Sequence, residues 1–408
     1  MSASAGPDAG PRPLAGLRVL EFSHTIMGPC AGLIFADLGA EVVKVEPAPD
    51  GDHTRRLPGF AAGFFATFNR NKRSLAIDLK RPEGRAAVHR LVASADVVLE
   101  NYGPGTMERL GCGWEDLSPL NPRLVYLALK GFLAGPYENR PALDEVVQFQ
   151  SGLAYMTGPP GQPLRAGASV VDIMGAVFGV TAALAALRER DATGRGQRVG
   201  SALFESAAFL VGSHMAGAVA TGQPVPPMPA RRGAWGVYEP FTAADGGQVF
   251  IGVTSDAQWV RFCAAFGLDD LAADERLRRN ADRAGARPWL IPRLRDEIGR
   301  LARDVVVARC EQAAISWAPV GQPADLFTDP HLLASGGLLS TAISAMGGGV
   351  EAMLPALPVE MGEGRARPGL LRQPPRIGEH NVEVLAEAGL ETEEIASLAQ
   401  GGVLCGGA

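Results

Sequence analysis

Asp172 stands in the stretch Arg165-Ala-Gly-Ala-Ser-Val-Val-Asp-Ile-Met-Gly175 and is the only charge between Arg165 and Arg188. A lone carboxylate at the mouth of an apolar, small-residue helix needs a reason. One reason is helix capping. The other is nucleophilic chemistry: the group is partly desolvated, the helix N-terminus keeps it ionised, and the surrounding glycines and alanines leave room for a thioester. A second constellation is Asn69-Arg-Asn-Lys-Arg-Ser-Leu75, with three cations in four residues, followed by Lys80 and Arg81. Beside backbone donors, these cations suit the phosphates of a ligand such as coenzyme A. They equally suit a solvated basic loop. In Glu100-Asn-Tyr-Gly-Pro-Gly-Thr-Met-Glu-Arg-Leu-Gly111, Arg109 could reach a phosphate, and Asn101 and Tyr102 an adenosine or a pantetheine. The plainer reading is a capped helix with a surface arginine. The turn His24-Thr-Ile-Met-Gly-Pro-Cys-Ala-Gly32, with Glu46 farther on, has the outline of a dinucleotide site. It lacks the G-x-G-x-x-G spacing, however, and Pro29 occupies the turn. Glycines that admit close strand–helix packing explain it better.

The elements that must position these residues alternate. Leu17–Phe22 reads as a buried strand, and Pro29–Leu38 as a helix. Strands follow at Glu41–Glu46, Asp96–Leu99 and Leu124–Leu129, with an amphipathic helix at Pro82–Ser94. That order implies a parallel sheet with covering helices. Val170–Arg190 reads as a long helix ended by Thr-Gly-Arg-Gly-Gln. Four prolines in Thr221–Ala230 mark a linker. Beyond it, Val237–Phe241 and Gln248–Val253 flank an Ala-Asp-Gly-Gly turn and read as a hairpin. Helices are expected at Asp256–Phe266 and Pro288–Ala314. The C-terminal part, around Gly347–Gly349 and Pro374–Pro375, reads as strands and loops, with a final helix near Asn381–Ala388.

The 408 residues are 47% hydrophobic and 20% charged, enough for two globular domains with large cores. A net charge of −6 supplies no basic field for nucleic acid. The five scattered cysteines form neither a metal pattern nor a disulfide framework, which fits a reducing compartment. The first 13 residues lack an apolar signal core and read as a loose arm. The longest uncharged apolar run, Ile173–Leu187, is short for a membrane span. A cytoplasmic protein without membrane or nucleic-acid partners is expected.

Nearly the whole chain, Leu14 to about Gly402, resembles the class III CoA-transferase family. The stretches that carry the resemblance are PLAGLRVLEFSHTIMGPCAGLIFADLGAEVVKVEP, NRNKRSLAIDLK, LENYGPGTMERLG and NPRLVYLALKGF. Asp172 before a helix ending in TGRGQ, APVGQPADLFTDP and PPRIGEHNVEVLAEAGL continue it. The chain reads as an α/β protein with a smaller α+β domain at 225–325, and the resemblance implies that the C-terminal segment, 326–408, returns to a Rossmann-like large domain begun by residues 14–224. It also implies a homodimer of interlocked rings. Asp172 matches the catalytic aspartate. Asn71, Lys72, Arg73, Asn101, Tyr102 and Arg109 fall in CoA-contacting segments.

The implied chemistry is covalent. Asp172 attacks an acyl-CoA to give an acyl–aspartyl anhydride. CoA thiolate then forms an enzyme–CoA thioester, and an acceptor carboxylate reverses the sequence. His24 would orient a carboxylate or anhydride oxygen, or serve only the fold. No metal, flavin or nicotinamide is needed, and CoA enters only as part of a substrate. The partners are an acyl-CoA and a free carboxylate. Ile26 replaces the glutamine of formyl-CoA transferases. Leu143 replaces the histidine of the 2-methylacyl-CoA racemases. Residues 129–167 look most like transferases for C4–C5 dicarboxylates such as mesaconate, itaconate or succinate. The rival readings are a racemase and a non-catalytic acyl-CoA-binding protein.

Overall fold

A computed structural model describes residues 10–231, 233–343 and 349–407. The chain divides into two compact units, one formed by the chain up to Pro229 together with Phe327 onward, the other by Ala230–Leu326. The first unit is built on six parallel strands in the order β3-β2-β1-β4-β5-β6. They are β1 (Arg18–Phe22), β2 (Glu41–Pro47), β3 (Lys72–Ile77), β4 (Val97–Glu100), β5 (Val125–Lys130) and β6 (Arg198–Ala202). This is the doubly wound order, in which ligands collect where the winding reverses, beyond the carboxyl ends of β1 and β4.

Alternation along β1 sorts its residues between two cores. Leu20 and Phe22 join one with Val88 and Leu91 of α2 (Pro82–Val92), Val384 of α9 (Asn381–Glu387) and Ile395 of α10 (Thr392–Gln400). Val19 joins the other with Phe35 of α1 (Met27–Asp37) and Ala183 of α4 (Val170–Thr193). α3 (Asp144–Gln150) and α5 (Leu203–Thr221) also belong to this unit, as does an antiparallel pair, β10 (Leu338–Ile343) and β11 (Val350–Pro355). The second unit is an antiparallel sheet, β7 (Val237–Thr242), β8 (Gln248–Val253) and β9 (Ser316–Pro319), packed with α6 (Asp256–Phe266), α7 (Asn280–Ile298) and α8 (Arg303–Gln312).

Several expectations change. The basic stretch at 69–75 is not a loop: Lys72–Ile77 forms the strand β3, every residue of it buried. The expected helix from Pro288 starts earlier, at Asn280, and carries Pro288 and Pro292 inside it. Asn381–Glu387 is followed by a further helix, α10. Of the expected arm, residues 1–9 lie outside the described residues, as do Gly347 and Gly348, while Arg12 packs against Gly39. α4 and α5 are each long and apolar enough to cross a membrane, contrary to the length of the uncharged run. The helix α4 outgrows that run at both ends, and it packs on β5, β6 and α1 as a core helix does. The five cysteines are free, and all but Cys405 are buried.

The glycines of the first turn are packing residues. A Cβ on Gly28 would lie 2.5 Å from Ser23 Cβ, and one on Gly32 would overlap Glu21 Oε2. Glu21 there joins two fully buried ammonium groups, Lys72 at 2.7 Å and Lys44 at 3.1 Å. Gly32→Ala is therefore expected to split this ion cluster and cost about 3 kcal/mol or more. Denaturant unfolding of the purified variant checks this.

Candidate active site

Beyond the carboxyl ends of β1, β4 and β5 lies a cavity of about 730 Å³. Its walls include His24 after β1, Asn101 and Tyr102 after β4, Lys130 at the end of β5, and Asp172 in the first turn of α4.

Asp172 does not cap its helix. The N-cap is Ser169, which makes no side-chain cap bond. The orphan donors of α4 are satisfied from another helix. Asp144 Oδ2 accepts from the N–H groups of Val171 at 2.9 Å and Asp172 at 3.0 Å. Asp144 Oδ1 accepts from Gln148 Nε2, and Gln148 Oε1 accepts from Ala166 N at 2.9 Å. Asp144 and Gln148 are buried and four residues apart on α3, so one face of that helix grips the start of α4. No hydrogen bond among the described residues reaches the Asp172 carboxylate itself.

This arrangement reverses the electrostatic expectation for the nucleophile. The helix N-terminus that should hold Asp172 ionised is already occupied by Asp144. Burial first, then the negative charges of Asp144 and Glu145, push the Asp172 carboxyl up to about 7. A carboxylate so poorly compensated is a strong nucleophile once ionised, and it favours any step that neutralises it.

The other predicted residues separate into two groups. Asn101 and Tyr102 reach the cavity, but Asn101 spends its amide on His24: its Oδ1 accepts from His24 N and its Nδ2 donates to His24 O, both at 3.0 Å. The ring of Tyr102 stacks on His24 with centroids 5.6 Å apart. Asn71, Lys72, Arg73 and Arg109 do not line the cavity. Asn71 ties Asp37 to the backbone of Gly369 and Leu371. Lys72 is sealed between Glu21, Asn69 and the carbonyl of Pro29. Arg73 is buried among Glu41, Glu383 and Glu387. In the single chain these three cations in four residues are paired with carboxylates: Arg70 with Asp37, Lys72 with Glu21, and Arg73 with Glu41, Glu383 and Glu387. Arg109 is exposed and donates to Thr106 Oγ1 at 2.8 Å.

The sequence reading gave Arg140 and Arg165 no role in the site and weighed Asp144 only as a stand-in for the racemase histidine, not as the brace of α4. Lys130 pairs with Glu100 at 2.6 Å and Arg165 with Glu145 at 3.0 Å. The guanidinium of Arg140 lies 4.6 Å from the Tyr137 ring centroid, and among the described residues no carboxylate pairs with it. It is the one lysine or arginine of the cavity wall in that state. The available signal for Asp144 was its i, i+4 spacing to Gln148, but its partners lie 27 and 28 residues away. The same region holds no cluster of three or more metal-ligating side chains among the described residues.

Residues 14–381 match the model of CoA-transferase family III, and the chain belongs to that family. It is 34% identical to a succinate–glutarate CoA-transferase of Agrobacterium fabrum, over 94% of this chain and 96% of that one. It is also 34% identical to a succinyl-CoA:mesaconate CoA-transferase of Haloarcula hispanica, over 93% and 97% respectively. A crystal structure of a CAIB/BAIF family protein from Brucella suis superposes with a TM-score of 0.80 at 31% identity, covering 93% of this chain and all of that one. The protein is a class III CoA-transferase, moving CoA between an acyl-CoA and a carboxylate.

If Asp172 acts as the ionised form, turnover must rise with pH through about 7 on its acid side. Asp144→Asn keeps an acceptor for α4 and removes one like charge. It is expected to move that limb about half a unit to one unit lower, as a like charge a few Å away would. A pH–rate profile of wild type and variant measures this.

Proposed function

We propose that the enzyme transfers CoA to and from C4–C5 dicarboxylates, of the succinate, mesaconate or itaconate type, through a covalent Asp172. The observation that carries this is a desolvated carboxylate, unpartnered among the described residues, on the wall of a cavity large enough for an acyl chain and its thioester. Asp172 attacks the thioester carbonyl and CoA leaves as thiolate. The thiolate attacks the aspartyl carbonyl of the anhydride and expels the first carboxylate. The second carboxylate then enters by the reverse route. Each acylated form of Asp172 is neutral, so the buried negative charge is relieved at every covalent stage. His24 faces the same cavity and orients a carboxylate or anhydride oxygen.

Arg140 supports a substrate with a second carboxylate, since its guanidinium borders the cavity without an internal counter-ion. Leu143, also on the wall, can neither take nor give a proton, which disfavours the racemase reading. The relatives' names point to succinyl-CoA as a donor. The 3′-phosphoadenosine of CoA would be met outside the cavity, where Lys80, Arg81 and Arg109 are exposed. The enzyme is read as a cytoplasmic homodimer. Phe209, Met215 and Val219 on α5 are exposed in the single chain, an apolar surface that a second subunit would cover.

Two measurements test the reading. Incubation with succinyl-CoA should add CoA to the peptide containing Asp172, detectable by mass, and Asp172→Asn should abolish both the adduct and the exchange of labelled succinate into succinyl-CoA. Near-wild-type exchange in the Asp172→Asn variant would remove the covalent route. Arg140→Met should lower succinate exchange about 10- to 100-fold, the scale of one charge-assisted pair. It should leave exchange of labelled butyrate into butyryl-CoA within a few-fold. Equal losses with both acids would deny Arg140 the distal carboxylate.

A further inference from the structure

We infer that His24 is a hydrogen-bond donor to the reacting carbonyl oxygen, its ring proton fixed on Nε2 by Thr25, and that Thr54 is the positioning residue that holds this arrangement. The inference rests on the transferase reading above and specifies one part of its site.

The argument starts at the backbone. Thr25 has φ of 66°, a left-handed conformation that a β-branched residue seldom adopts and that needs outside support. The support is a chain of buried groups. Thr25 N–H donates to Thr54 Oγ1 at 3.0 Å, and the Thr54 hydroxyl donates to Asp52 Oδ1 at 2.6 Å. Asp52 Oδ2 lies 3.0 Å from the Lys44 ammonium. Lys44 also holds the carbonyl of Ser23 at 2.8 Å, on the other side of His24. Asn101 grips both the N–H and the C=O of His24 itself. A single surface turn would not need this many fixed partners. Here they set one side chain.

The kink places Thr25 Oγ1 at 2.8 Å from His24 Nδ1. That hydroxyl has no other hydrogen-bond partner among the described residues, and with its proton donated to Nδ1 the ring accepts there. A neutral imidazole carries one proton, which is then on Nε2. The ring is kept neutral by burial first and then by His53, with Lys44 acting in the same sense and Asp52 opposing. Tyr102 and His53 flank the ring, at 5.6 and 5.0 Å between centroids, and fix its plane. His24 therefore offers the cavity an N–H and no lone pair.

An N–H suits the reaction and a base does not. When an Asp172 oxygen bonds to the thioester carbonyl carbon, negative charge gathers on the carbonyl oxygen. The C–S bond then breaks, and its electron pair leaves on the CoA sulfur. No proton moves in this step or in its return. A neutral donor stabilises the oxyanion at each of the successive tetrahedral stages without being consumed.

The test uses exchange of labelled succinate into succinyl-CoA with purified full-length variants. His24→Ala should lower kcat about 100-fold or more, with the KM for succinate little changed. His24→Gln, whose amide can donate from a similar position but cannot act as a base of comparable strength, should stay within about tenfold of wild type. Thr54→Val should lower kcat at unchanged KM, and Thr54→Ser, which keeps the hydroxyl, should restore most of it. His24→Gln as inactive as His24→Ala would overturn the donor role in favour of a base. His24→Ala within about threefold of wild type would remove His24 from the chemistry. Thr54→Val and Thr54→Ser with equal activity would remove Thr54 as its positioner. The Asp172 adduct separates the two levels: its absence in wild type overturns the covalent reading and this inference with it. Its formation at wild-type rate in His24→Ala overturns the inference alone.

Discussion

Two ammonium groups with no exposed surface, those of Lys44 and Lys72, stand beside the central strand, and much of the first unit follows from the need to compensate them. Stripping such ions of water costs several kcal/mol each, and a bare Coulomb contact does not offset that without further hydrogen bonds. The partners are therefore numerous and fixed: Glu21 between both lysines, Asp52 on Lys44, the carbonyls of Ser23 and Pro29, and Asn69. Each partner carries a piece of chain with it. Ser23 brings the His24 turn, Pro29 brings the first turn of α1, and Asn69 brings the approach to β3. A helix could not lie this close to Glu21 with any side chain at position 32. The cluster is thus a constraint on geometry more than a source of stability, and the cavity inherits its shape from it.

The second organising feature is a division of labour between two carboxylates. Asp144 takes the hydrogen bonds of the α4 N-terminus and Asp172 takes none of them, although both sit at the same helix end. Helix-end donors are a limited resource. By absorbing them, Asp144 both braces the scaffold and withholds stabilisation from its neighbour. The nucleophile is left with burial and repulsion, which raise its pKa to about 7. An aspartate with the usual acidity would be a weaker nucleophile and a better leaving group, and its anhydride would collapse more readily to the free acid.

The sheet and its covering helices were legible because their signals are local. The alternation of LRVLEF places Leu20 and Phe22 on one face and Val19 on the other, as found. The family and the nomination of Asp172 came from motifs in their order along the chain, and the chain does belong to that family. What the sequence does not display is tertiary. Lys72 and Arg73 look like phosphate ligands because their partners are Glu21, Glu383 and Glu387, residues far away in sequence. The strand Lys72–Ile77 opens on Lys-Arg-Ser, a polar start that hides it in the sequence. The bracing role of Asp144 leaves no local trace, since its two backbone partners belong to another helix. Charge counting along a sequence cannot distinguish a cation that awaits a ligand from one already neutralised in the fold.

The edge strand β3 is completed by chain that is made last. Arg372 and Leu371 meet Asn71, Asn381 accepts from Ala76 N–H, His380 bonds Ser74, and Leu404 bridges Ile77. About 300 residues or more separate these partners, and the smaller unit is threaded between them. During vectorial synthesis the N-terminal sheet must wait with this edge open until the ribosome has passed residue 404. Translation time thus sets a minimum period in which an unpaired strand edge is available to neighbouring nascent chains.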